Sequence, residues 1–265
     1  IKIHQSLTVR PNISKELKVD IHQALALDYE KINQFSKAKN EADQVLQIEK
    51  RNIWALQYLL FLSEKEENWD QAVGLTKQIQ KITGKHDPDD LARFQVYKGL
   101  EKLKSGFPDE ARSFFNKALK SSPDFGLPYR YLGDVFEQIR DLVKAVESWE
   151  SFAVRDIKNA SLVFGKIESA LFDLGRYSEV ENFYRRILEI DSSNFEAIIR
   201  LANVLEEKGE DGAALSLIED AIDPQSIDVR GEIMKLKLSL TTSTPVELSH
   251  QIDSILEKLS DAKDN

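Results

Sequence analysis

The chain has 265 residues, 42% hydrophobic and 31% charged, with only 7 Pro and 11 Gly, a make-up that excludes extensive disorder and suits a helical protein. A formal charge of −9 and a pI near 5.2 argue against a nucleic-acid binder, which needs a basic surface to displace counterions from phosphates. With no cysteine there is no disulfide or thiolate metal site, and the longest apolar run, Ile53 to Leu62, is about half the roughly 20 residues that a bilayer span needs.

Taken in order, Ile1 to Leu7 read as the end of a helix whose partner would precede the chain, with Pro11 placed to stop it. The opening on Ile1 rather than Met, inside an apparent helix, reads as a fragment or processed product, which leaves room for an anchor upstream. A first helix pair is expected over 14–50, with Ser14 as N-cap, Ala26 and Tyr29 on one helix and Ala38, Ala42 and Val45 on the other. A second pair, 53–84, carries Trp54, Leu56, Leu59 and Leu60, then Trp69, Ala72 and Ile79. The polar stretch from Thr83 to Asp90, with Gly84 and Pro88, shifts the register by about five residues and reads as a longer surface loop. A third pair, 90–123, has Gly99, Gly106, Ala111, Phe115, Ala118 and Pro123 at the marking positions.

The next three pairs, at 125–158, 160–193 and 194–224, repeat one another. Tyr129, Leu132, Gly133, Phe136, Ala145, Trp149 and Phe152 return as Phe164, Ile167, Glu168, Leu171, Val180, Tyr184 and Ile187. They return again as Ile198, Leu201, Ala202, Leu205, Ala214, Ile218 and Ala221, with Gly175 and Gly209 at one shared turn. Apolar residues three and four apart line one stripe of a helix, and small residues such as Gly133, Ala145 and Ala202 mark where two axes approach. A capping pair over 228–260 should bury Leu236 and Leu240, then Leu248, Ile252, Ile255 and Leu259, with Glu247, Gln251, Asp253 and Lys258 as its polar back and 261–265 as a tail.

A two-helix unit repeating about every 34 residues resembles the tetratricopeptide repeat. The expected fold is therefore all-α: one right-handed superhelical solenoid over 1–260, with about six helix pairs and a C-terminal cap, because a lone pair leaves an apolar side that only a neighbour closes.

Chemistry is harder to find. His4, His22, His86 and His250 lack metal-ligand spacing, no G-x-S-x-G turn is present, and Gly84-Lys85 lacks the rest of a phosphate loop. The acidic run Asp87, Asp89 and Asp90 lacks the central Gly and closing Glu of a calcium loop and fits a helix start. The aromatic stripe Phe136, Trp149, Phe152 and Phe164 reads as core, with Phe172 as the exception. The chain reads as a non-enzymatic scaffold without cofactor or metal in this stretch. Its candidate partner-binding residues line the concave groove: Gln57, Arg93, Arg130, Asp134, Glu137, Phe172, Asp173 and Asn203. Arg130 and Asn203 stand alone and Asp134 replaces a usual Asn, which disfavours the Lys, Asn and Arg clamp that some tetratricopeptide proteins close on a C-terminal carboxylate.

One narrower likeness exists. Lys2-Ile3-His4-Gln5-Ser6-Leu7, Ala26-Leu27-Asp28-Tyr29, Phe35 with Ala38, Trp69 with Ala72-Val73, and Lys144-Ala145-Val146-Glu147-Ser148 together resemble the lipopolysaccharide assembly protein B family of Gram-negative bacteria. That resemblance implies a cytoplasmic repeat domain tethered to the inner membrane, with a membrane helix and a rubredoxin-like metal ribbon outside this stretch. It also implies an adaptor that brings the lipid A pathway deacetylase to a membrane ATP-dependent protease, with protein partners, as peptide or folded domain, in the groove. The alternative is a tetratricopeptide scaffold in another envelope, secretion or pilus assembly.

Overall fold

A computed structural model describes residues 1–8, 10, 12–221, 229–240 and 243–261, with side chains placed through residue 221, over 231–240 and over 243–256. Pro11 and Pro224, the side chains of Lys258 and Leu259, and residues 262–265 of the expected tail lie outside what is described. Fifteen α-helices and one 3-10 turn, Ile157–Asn159, account for the regular structure, with no strand among the described residues.

The helices fall into two compact units, residues 1–125 and 126–265. The first holds α1 (Lys2–Thr8), α2 (Lys15–Lys31), α3 (Phe35–Ile48), α4 (Ile53–Lys65), α5 (Trp69–Thr83), α6 (Pro88–Lys104) and α7 (Pro108–Ser121). The second holds α8 (Leu127–Gln138), α9 (Leu142–Arg155), α10 (Ser161–Asp173), α11 (Ser178–Ile190), α12 (Phe195–Glu207), α13 (Asp211–Ala221), α14 (Val229–Ser239) and α15 (Pro245–Asp261). Within each unit the helices pair as hairpins, and each hairpin packs on the next.

One turn closes six of the hairpins. Asn33, Glu67, Gly106, Arg140, Gly175 and Gly209 all adopt left-handed backbone, with φ between 54° and 82°. The residue after each donates its N–H to a carbonyl five residues back, as in Gln34 to Tyr29, Asp141 to Phe136 and Arg176 to Leu171. That bond satisfies a carbonyl orphaned at the helix end and sets the reversal. The left-handed residues are spaced 34, 39, 34, 35 and 34 apart, so the polar insertion falls between Glu67 and Gly106.

Packing follows residue size. A Cβ added at Gly99 would overlap the Phe115 ring, and one at Gly133 would overlap the Trp149 indole, so these glycines let the α7 and α9 rings lie directly against the α6 and α8 backbones. In the next hairpin Glu168 replaces the glycine and Phe164 meets Phe183 and Tyr184 edge-on at 5.6 and 5.2 Å, which holds α10 and α11 further apart. Trp149, Phe152 and Phe164 are fully buried, Phe136 is half-buried and Phe172 is exposed.

The last helices turn differently from expectation. On α14 the buried stripe is Met234 and Leu238, while Leu236 is half-buried and Leu240 is 58% exposed. On α15 Leu248, Gln251 and Ile255 face inward, with Gln251 accepting a 2.8 Å hydrogen bond from Ser239, while Ile252 and Leu256 are exposed. Two stripes offset by two residues share the same i, i+4 spacing, and spacing alone does not choose between them.

Candidate protein-binding face

Helical spacing places Arg130, Asp134 and Glu137 on one face of α8, and Glu196, Arg200 and Asn203 on the matching face of α12. Along these first helices of the hairpins, an acid on one helix is tied to a base on the next. In unit two, Lys166 of α10 reaches Asp134 and Glu137 of α8, each at 2.9 Å. Arg200 of α12 reaches Glu168 of α10 at 2.6 Å, and Lys237 of α14 reaches Glu206 of α12 at 2.5 Å. In unit one Arg93 of α6 reaches Glu64 of α4 at 2.6 Å.

The ties also reach into the core. The Trp149 indole N–H donates to Asp134 at 3.1 Å, and the Tyr184 hydroxyl donates to Glu168 at 2.5 Å. Burial, then the Glu168 carboxylate, push the Tyr184 phenol well above its ordinary range, so it stays a donor. Burial works against the charge on Lys166, but Asp134 and Glu137 outweigh it and hold the ammonium above its usual value. Arg200 is treated alike, burial being overcome by the Glu196 and Glu168 carboxylates. One hairpin further on, Ala202 and Ile218 take the Glu168 and Tyr184 positions, both buried, and the polar tie gives way to apolar packing.

These ties sort the candidate residues. Asp134, Glu137 and Arg93 are engaged in joining hairpins, and Arg93 also lies over the Phe94 ring at 4.7 Å. Gln57 on α4 and Asp173 on α10 are exposed, and Asn203 on α12 is half-exposed; none has a side-chain hydrogen bond or ion pair among the described residues. Arg130 touches the Tyr131 ring, 5.5 Å from its centroid, and makes no ion pair among them. Phe172 is 45% exposed and meets Tyr177, itself 59% exposed, at a tilt of 52° with the ring centroids 5.2 Å apart. Gln57 and Arg93 belong to unit one, and Arg130, Asp134, Glu137, Phe172, Asp173 and Asn203 to unit two.

Two adjoining hollows of about 370 and 400 Å³ share Phe172, Val180, Val204 and Glu207 as walls. One opens onto Tyr177, Ser178, Glu181 and Lys208, the other onto Glu168, Glu196, Ile199, Arg200 and Asn203. Sequence reasoning passed over Lys166, Glu168 and Arg200 as tie residues and Tyr177, Val204 and Glu207 as walls. Lys166 and Arg200 recur 34 residues apart with like charge, a signal that was available. No repeat marks Tyr177.

Charge divides with the units. Residues 1–125 hold 20 basic and 18 acidic side chains, net +2, whereas 126–265 hold 16 and 27, net −11, so the overall −9 resides in the second. No group of three or more potential metal ligands occurs among the described residues, where His4 pairs with Asp28 at 2.8 Å and His22 with Glu41 at 2.6 Å. No helix among them is long and apolar enough to cross a membrane.

Hairpins of this size, closed by one recurrent turn and joined face to face, define an all-α tetratricopeptide-repeat protein. No family model matches the chain. It is similar to lipopolysaccharide assembly protein B of Escherichia coli strain K12, at 23% identity over 214 residues, covering 81% of this chain and 55% of the relative. The protein of that name from Haemophilus influenzae strain Rd is 26% identical over 215 residues, covering 81% and 54%. The chain thus spans about half the length of the curated relatives it matches. Among solved structures, the crystal structure of MamA aligns with a TM-score of 0.45 at 21% identity, covering 63% of this chain and 97% of that one.

Proposed function

We propose that this chain is the protein-binding repeat region of an adaptor that sets lipopolysaccharide output. In this reading it brings the lipid A pathway deacetylase to a membrane-bound ATP-dependent protease, on the cytoplasmic side of the inner membrane, with the tether outside residues 1–265. The similarity to lipopolysaccharide assembly protein B over 81% of the chain carries the reading. On unit two the partner-facing residues are Arg130, Phe172, Asp173 and Asn203, which the inter-hairpin ties leave available, with Asp134 and Glu137 beside them. Gln57 and Arg93 are the corresponding residues of unit one.

The test is co-purification from a Gram-negative host. The tagged full-length protein should bring down both deacetylase and protease, and its depletion should raise the deacetylase level. Recovery of neither enzyme, with deacetylase turnover unchanged on depletion, overturns the reading.

A further inference from the structure

We infer that the hollow between the α10–α11 turn and the end of α12 is a receptor for a basic side chain, presented by an Arg- or Lys-bearing segment of a protein partner. The inference rests on the reading of unit two as a protein-binding surface and adds the chemistry of what it takes.

The walls set that chemistry. Phe172 and Tyr177 offer two half-open aromatic faces, tilted 52° to one another with centroids 5.2 Å apart, and Val180 and Val204 extend the apolar lining. Around the rim the charges are mostly already matched. Arg200 is held by Glu168 and Glu196 at 2.6 and 2.8 Å, and Lys208 by Glu181 and Glu210 at 2.7 and 2.8 Å. Glu207, which borders both hollows, has no ion pair among the described residues.

A wholly apolar occupant would cover Glu207 and leave its carboxylate without a partner, which is costly. An acidic occupant would meet a unit of net charge −11. An Arg or Lys side chain satisfies both walls: its alkyl stem lies along Val204 and the rings, and its cation meets the aromatic face and the Glu207 carboxylate. Asn203, half-exposed in the adjoining hollow that shares the Phe172, Val204 and Glu207 walls, supplies an amide for the segment's backbone.

The experiment is fluorescence anisotropy on the full chain with a labelled dodecapeptide of alternating Arg and Ser, and the matching Glu–Ser peptide as its control. The Arg peptide should bind and the Glu peptide should not. Phe172→Ala should weaken Arg-peptide binding about tenfold, and Tyr177→Ala and Glu207→Gln should each weaken it. Glu189→Gln, an exposed acid at the far end of α11, should not change it. Because Phe172, Tyr177 and Glu207 are exposed, circular dichroism should show all variants folded.

Binding undiminished in Phe172→Ala and Tyr177→Ala, or equally weakened by Glu189→Gln and Glu207→Gln, would mean that only overall charge attracts the peptide, and the receptor would be refuted. That result leaves the adaptor reading standing. Conversely, Phe172-dependent peptide binding by a protein that recovers neither deacetylase nor protease would overturn the adaptor reading alone.

Discussion

Trp149 lies so close over Gly133 that no side chain fits between the indole and the α8 backbone. The same indole donates to Asp134, the next residue along. One glycine therefore decides how near α8 and α9 approach and whether the ring reaches its acceptor.

Gly133→Ala should destabilise the protein by about 1–3 kcal/mol, because the methyl group overpacks a site with no free volume. Urea denaturation followed by circular dichroism measures it. In a Trp149→Leu background the added cost of Gly133→Ala should shrink, and an unchanged cost would show that the indole is not what the methyl group meets.

Tyr184→Phe should cost about 1–2 kcal/mol by removing a donor from the half-buried Glu168. Glu168 keeps Arg200 as a partner, so the loss should stay below that of an orphaned charge. Combining Tyr184→Phe with Glu168→Gln should cost less than the two changes summed, as expected of residues sharing one network. Strict additivity in the same melts would mean that the bond contributes nothing.

Arg140 occupies a left-handed turn position with φ 62°, where Gly175 and Gly209 stand in the following repeats. An L-residue there carries a cost of about 1–2 kcal/mol that glycine avoids. Arg140→Gly should therefore raise stability by about 0.5–1 kcal/mol, part of the gain being offset by the freer unfolded chain. Gly175→Ala should lower it by about 1 kcal/mol. A thermal melt that moves the same way for both variants would contradict the shared turn geometry.

Acid should act through the ion pairs. Lys208, then Arg185, hold the Glu181 carboxyl below the usual carboxylate range, so the folded form releases its proton more readily than the unfolded form. The stability this supplies is fully present above the ordinary carboxylate value. It is lost as pH falls through the lowered one. Glu181→Gln should thus lower the melting temperature at pH 7, and the gap from the unchanged protein should close toward pH 2. A constant gap across that range would rule out Glu181 as the titrating group.

Much of the fold was legible because size and spacing carry it. The recurrence from Tyr129 to Ala221, the five-residue slip before the third pair and the burial of Trp149, Phe152 and Phe164 all follow from which residues can lie between helices. The turns at Asn33, Glu67 and Arg140 were less visible, since only glycine advertises a left-handed backbone in a sequence. The binding face was legible only as a set of positions. Asp134, Glu137 and Arg93 read as groove residues, yet which long side chain reaches which carboxylate depends on the spacing between hairpins, and that is a tertiary quantity. The inward turn of Gln251 was hidden for a related reason, because its partner Ser239 lies on another helix.

The most direct test of protein binding through the first helices of unit two is a calorimetric titration of the proposed partner, the lipid A pathway deacetylase, into the purified chain and its Arg130→Glu, Asn203→Ala double variant. Neither side chain is in an ion pair among the described residues, so the variant should keep its melting temperature while its affinity drops at least about tenfold. Equal affinity for the variant and the unchanged chain would place the interface elsewhere and contradict the account.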